Sequence, residues 1–114
     1  ELLKQVQEVA EMVNIISVRQ KEQLGLGHAV LCARKVVKQE PFAVLVGDDL
    51  MFSHEPAIKQ LIEVARNEHM PVVGVVEVPE EKVSKYGIIQ AEEFAPGLFR
   101  VRQVFEKRSE ERRV

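Results

Sequence analysis

Short apolar runs alternate with segments of helical periodicity along most of the chain. The runs are rich in β-branched residues and lie at 13–18, 42–46 and 72–78. Such continuously apolar runs are typical of strands that are buried on both faces of a sheet. Helical periodicity covers residues 1–12, 25–37 and 55–68. This alternation predicts an α/β fold with a mostly parallel, three-layer sheet and right-handed crossovers.

The pattern changes after the third apolar run. Two further strands are predicted, at Tyr86–Gln90 and Leu98–Phe105, with no helix between them. Pro96 and Gly97 lie in the connection and favour a turn. We therefore expect a hairpin or an antiparallel edge in this part of the chain.

Composition excludes several classes of partner. The chain has 114 residues, enough for one domain at most, and a net charge of −2, which provides no basic field for nucleic acid or an anionic membrane. No apolar run approaches the ~20 residues that a membrane span requires. Cys32 is the only cysteine, so an internal disulfide is impossible, and a reducing, cytoplasmic location is expected.

Polar and small residues follow the first apolar run, where ligands bind to parallel sheets. Gln20 carries an amide with one acceptor and two donors, which can recognise the edge of a nucleobase. The alternative is a strand-end glutamine bonded to the backbone. Gly25 and Gly27 open the next helix, and glycine lets a backbone approach a flat ligand closely. The alternative for the glycines is an ordinary turn.

Charged pairs follow the second and the last predicted strands. Asp48 and Asp49 come directly after an apolar run, and paired carboxylates there suit Mg²⁺. A helix cap or a solvated loop is the alternative. Glu106 and Lys107 either pair with each other or contact a sugar hydroxyl and a phosphate, respectively.

The segment Arg19–Cys32, with Gly25-Leu26-Gly27-His28-Ala29 inside it, resembles bacterial UTP–glucose-1-phosphate uridylyltransferases (UDP-glucose pyrophosphorylases). The likeness continues in order through four further segments, Phe42–Asp49, Val78–Glu81, Lys85–Ile89 and Val104–Lys107. The resemblance implies a Rossmann-like nucleotidyltransferase sheet, mostly parallel with an antiparallel edge. It also implies an enzyme of carbohydrate metabolism that uses Mg²⁺ and converts UTP and glucose 1-phosphate into UDP-glucose and pyrophosphate.

The resemblance also implies roles for individual residues. Gln20 and Gly25 would contact the uracil, and Asp48 would bind Mg²⁺ with Asp49 beside it near the nucleotide. At the other end of the likeness, Gly87 would face glucose with its backbone. The remaining two roles are a sugar-hydroxyl contact for Glu106 and neutralisation of a phosphate for Lys107.

Two parts of the family pattern are missing from this sequence. The resemblance implies a partial domain at residues 1–107, followed by a charged tail at residues 108–114. This partial domain does not include the N-terminal Gly-rich loop that holds phosphates in the family. The family's second metal-binding aspartate lies further downstream. The chain begins without Met, at Glu1, which suggests a cut or processed end. An incomplete sheet leaves unpaired strand edges, so we expect poor activity of the chain alone and self-association into a homo-oligomer.

Two alternative functions remain open from the sequence. One is a thymidylyl- or other sugar-1-phosphate nucleotidyltransferase of the same superfamily. The other is a non-catalytic module that holds a nucleotide sugar or a protein partner without turnover.

Overall fold

The computed structural model describes residues 1–106, which fall into two compact units. The first unit comprises residues 1–72, and the second begins at residue 73. Each unit is described by itself below. The predicted phosphate contact of Lys107 and the predicted charged tail at residues 108–114 lie outside the described residues.

Four helices make up the regular structure of the first unit. They are α1 (Leu2–Glu11), α2 (Leu26–Cys32), α3 (Arg34–Val37) and α4 (Ala57–Glu68). The three helices predicted from periodicity are therefore confirmed, and the middle one is divided into α2 and α3 at Ala33. In residues 1–106 no helix is both long and apolar enough to cross a bilayer.

Helix α4 shows why these segments are helical. Its half-buried positions are Ala57, Ile58, Leu61, Val64 and Ala65. This i, i+1, i+4, i+7, i+8 spacing places them on one side of the helix. Packing of such an apolar stripe stabilises a short helix. The helix ends at His69, which adopts the left-handed conformation with φ 53°. A left-handed residue is a common helix stop because it redirects the chain.

A 3₁₀ helix and a β-hairpin form the second unit. The 3₁₀ helix spans Glu80–Lys85, and strands β1 (Ile88–Ala95) and β2 (Leu98–Phe105) pair antiparallel. The hairpin predicted around Pro96 and Gly97 is confirmed, although β1 begins and ends later than its predicted bounds. Gly97 has φ 72°, which favours glycine, and its N–H donates to Glu93 Oε1 at 3.0 Å.

The three apolar runs are not paired strands. Among residues 1–106 the only backbone ladder is the one between β1 and β2, and residues 14–20, 41–46 and 71–79 carry no assigned strand. Apart from the half-buried Val72 and Val78, their apolar side chains are exposed, with Ile15 at 73%, Leu45 at 71% and Val76 at 80%. The prediction of strands here was wrong for the described residues because a strand requires hydrogen bonds from a neighbouring strand, which periodicity cannot supply.

Exposed apolar runs predict self-association of the isolated chain. Unpaired backbone and exposed apolar side chains favour pairing with another chain, so a dimer or larger species is expected at roughly tens of micromolar. Light scattering coupled to gel filtration measures this. Leu45→Glu should shift the chain toward monomer, because it places a charge in the second run.

Gln39→Glu is the matched control, since residue 39 is exposed and polar and the charge change is the same. A wild-type chain that is monomeric at these concentrations would contradict the prediction. So would equal effects of the two substitutions.

Candidate functional site

Gln20 and Gly25 meet at the start of helix α2. The Gln20 amide Nε2 donates to the Gly25 carbonyl at 3.2 Å, across a five-residue loop. The same carbonyl accepts the N–H of Ala29 at 3.1 Å, the first hydrogen bond of the helix. The backbone-bonded glutamine, which the sequence left open as an alternative, is therefore present. That bond also fixes the amide of a residue predicted to contact a base.

Gly25 adopts a conformation that only glycine tolerates. Its φ of 99° and ψ of 176° lie in a region closed to residues with a Cβ. A Cβ added there would meet nothing within 4 Å, so the restriction comes from the backbone conformation and not from crowding. The glycine lets the chain turn into α2 with its carbonyl facing Gln20.

His28 is a site residue that the sequence did not reveal. Its Nδ1 lies 2.8 Å from Gln20 Nε2 and 3.9 Å from Cys32 Sγ. All three side chains are half-buried. The available signal was the i, i+4 spacing of His28 and Cys32 on one helix, eight residues after Gln20.

Asp48 and Asp49 lie at an exposed turn that follows the second apolar run. The turn is closed by the Asp49 N–H, which donates to the Val46 carbonyl at 3.1 Å. Within residues 1–106 there is no group of three His, Cys, Asp or Glu side chains that could enclose a metal ion. Adjacent exposed carboxylates still fit Mg²⁺, which binds one or two carboxylates and takes its other ligands from water and substrate phosphates.

Gly87 and Glu106 lie at the same end of the hairpin. The register pairs Ile88 with Phe105, and the two candidates are the next residues outward on each strand. A Cβ on Gly87 would lie 3.8 Å from the Phe105 carbonyl, which is ordinary contact distance. The hairpin thus brings together two residues that are distant in sequence and were predicted to contact the sugar.

An open cleft adjoins this end of the hairpin. Its volume is about 370 Å³, and Gly87 and Tyr86 lie in its wall with the side chains of valines and isoleucines. All of its lining residues belong to the second unit. The wall of the cleft is mostly apolar.

Comparison with known proteins shows the family to which the chain belongs. Residues 1–113 match the family described as Nucleotidyl transferase, and the chain is a member of that family. It is 50% identical over 111 residues to the UTP–glucose-1-phosphate uridylyltransferase YngB of Bacillus subtilis (strain 168), which covers 97% of this chain and 37% of that protein. A UTP–glucose-1-phosphate uridylyltransferase of Staphylococcus haemolyticus is 49% identical over 107 residues, covering 94% and 37%.

A solved structure gives the same result for the fold. It is a UDP-glucose pyrophosphorylase complexed with UDP-glucose, with a TM-score of 0.86 and 36% identity over 97% of this chain and 43% of that one. The predicted nucleotidyltransferase fold and the predicted resemblance are both confirmed. The chain spans about 37% of the length of these curated relatives.

The backbone of Gly25 predicts a large difference between two glycine substitutions. Gly25→Ala should lower the free energy of unfolding by ~1–3 kcal/mol, because alanine is strained at this φ and ψ. Gly27→Ala should raise it by up to ~1 kcal/mol, because Gly27 lies inside α2 with nothing within 4 Å of an added Cβ. Thermal unfolding followed by circular dichroism measures both. Equal shifts of the midpoint would contradict the assigned conformation of Gly25.

Proposed function

We propose that the chain provides the base, metal and sugar contacts of a UTP–glucose-1-phosphate uridylyltransferase. In the proposed reaction a phosphate oxygen of glucose 1-phosphate forms a bond to the α-phosphorus of UTP. The bond from that phosphorus to the bridging oxygen breaks, and pyrophosphate leaves. The products are UDP-glucose and pyrophosphate. The uridylyltransferase relatives at 49–50% identity support this assignment.

The observation that carries the proposal is the fixed amide of Gln20 beside Gly25. An amide held by a carbonyl at 3.2 Å has lost most of its rotational freedom before a ligand arrives. Pre-organised polar groups bind more tightly because less ordering is needed on association. Gln20 would hydrogen-bond the uracil edge, and Gly25 would let the ring approach the backbone.

Asp48 would bind Mg²⁺, and Asp49 would lie near the nucleotide. The ion, when bound, would neutralise phosphate charge and orient the phosphates. The exposed turn at residues 47–48 leaves the carboxylate open to water and to phosphate oxygens, as Mg²⁺ requires. The divalent metal expected of nucleotidyltransferases is assigned to Mg²⁺ on this donor chemistry.

Glu106 would accept hydrogen bonds from sugar hydroxyls while Gly87 presents its backbone to the glucose ring. Their position at one end of the hairpin, beside the cleft, supports this pairing. Lys107, the next residue, would neutralise a phosphate of substrate or product. The domain is proposed to comprise residues 1–107, followed by a charged tail at residues 108–114.

Turnover is proposed for the longer protein, and ligand binding for this chain. In-line transfer needs groups on both sides of the α-phosphorus, and loss of a single such contact can cost ~10²–10³ in rate. A homo-oligomer and a cytoplasmic location stay predictions. The latter rests on the single Cys32.

Calorimetric titration with UDP-glucose and Mg²⁺ tests the proposal. Gln20→Ala should abolish detectable binding. Asp48→Asn should lower the affinity for UDP-glucose in Mg²⁺ but leave it equal to that of the wild type in EDTA. The reason is that the substitution removes only the negative charge that binds the ion. Glu63→Gln is the control, since Glu63 is an exposed carboxylate on α4 that is far in sequence from every proposed contact.

Three outcomes would redirect the assignment. No binding of UDP-glucose by the wild-type chain at millimolar concentration would contradict the proposed site. Equal or tighter binding of dTDP-glucose would favour the thymidylyl alternative. Binding that is independent of both Gln20 and Asp48 would favour a non-catalytic module with a different site.

A further inference from the structure

We propose that His28 is a positioning residue that makes Gln20 an acceptor toward the base and so selects bases with a ring N–H. The inference rests on the proposed function, in which Gln20 contacts the base. It adds His28 to that contact, identifies the Gln20 amide oxygen as the atom that faces the base, and states which bases are preferred. Its foundation is the pair of contacts that Gln20 Nε2 makes with Gly25 and His28.

The orientation of the amide is fixed by chemistry. The Gly25 carbonyl can only accept a hydrogen bond, so the group 3.2 Å from it must be the Gln20 NH₂ and not the amide oxygen. His28 Nδ1, 2.8 Å from the same nitrogen, then accepts the second N–H. The imidazole proton therefore lies on Nε2 of His28, because a protonated Nδ1 would face a donor.

This arrangement uses both N–H groups of Gln20 within the protein. The remaining polar atom of the amide is Oε1, which only accepts. Uracil offers N3–H to such an acceptor. Cytosine has the same ring size but an unprotonated N3, so the lone pairs of cytosine N3 and Gln20 Oε1 would face each other. A Gln20 with its second N–H unoccupied could donate that N–H to cytosine N3, and His28 prevents this by accepting it.

Cys32 is the competing partner and is the weaker one. Its Sγ lies 3.9 Å from the same Nδ1, near the outer limit for a sulfur hydrogen bond, and a thiol is a weak donor. Nδ1 has one lone pair, and the amide at 2.8 Å occupies it. The half-buried position of Gln20 and His28 reduces the competition of water for this bond.

The test measures the ratio of affinities for UDP-glucose and CDP-glucose by calorimetry. His28→Ala should reduce this ratio by roughly tenfold, because loss of the acceptor leaves one Gln20 N–H free to donate to cytosine. His28→Asn should restore it, because the Asn carbonyl oxygen can take the place of Nδ1 as acceptor. Cys32→Ala should leave it unchanged. A purely structural role of His28 would weaken both ligands equally and leave the ratio unchanged.

The outcomes separate this inference from the proposed function. Failure of the wild-type chain to bind UDP-glucose would overturn the proposed function, and this inference with it. Wild-type binding with an unchanged ratio in His28→Ala, or no rescue by His28→Asn, would overturn the inference alone. Imidazole ¹⁵N NMR of the free chain gives a ligand-independent readout. An unprotonated, hydrogen-bonded Nδ1 on His28 supports the inference, and a protonated Nδ1 overturns it.

Discussion

Local backbone hydrogen bonding holds together every regular element in residues 1–106. The helices close their bonds within a few residues, and the only ladder joins two strands separated by a two-residue turn. Because each element makes its backbone hydrogen bonds locally, its backbone pairing needs no distant partner. The apolar runs that would need distant partners remain unpaired and exposed. The candidate site residues within residues 1–106 follow this division, since each of them lies on or beside a locally formed element or turn.

The difference between locally bonded elements and unpaired apolar runs explains how much of the fold the sequence could predict. Periodicity reports which side chains share a face, and that is enough to define a helix such as α4 or a hairpin around Gly97. It is not enough to define a strand in a parallel sheet, because Phe42–Val46 has a strand pattern whether or not a neighbour is paired with it. The family match supplied the fold class that the apolar runs alone could only suggest.

The candidate site also contains features that the sequence could predict and features that it could not. Only the resemblance suggested sugar contacts for Gly87 and Glu106, and the antiparallel register places both residues at the same end of the hairpin. Sequence reasoning connected Gln20 and Gly25 only through a shared ligand. A backbone bond was an open alternative for Gln20, but Gly25 was not identified as its partner. His28 was missed because its role depends on the direction of one lone pair, which spacing does not encode. Asp48 and Asp49 were located by sequence alone, because adjacent carboxylates need no fold to be neighbours.

Fixing an amide inside the protein before a ligand binds has a defined consequence for specificity. A free glutamine accepts or donates at equal cost, so it favours no base by polarity. Once both N–H groups are held, by Gly25 and His28, a ligand with the wrong polarity must break an internal bond before it can make its own. The penalty for a mismatch therefore comes from a bond within the protein, and it is present without any contact between the imidazole and the ligand. Discrimination of this kind needs only a short loop and one helical turn, and it does not depend on the sheet being complete.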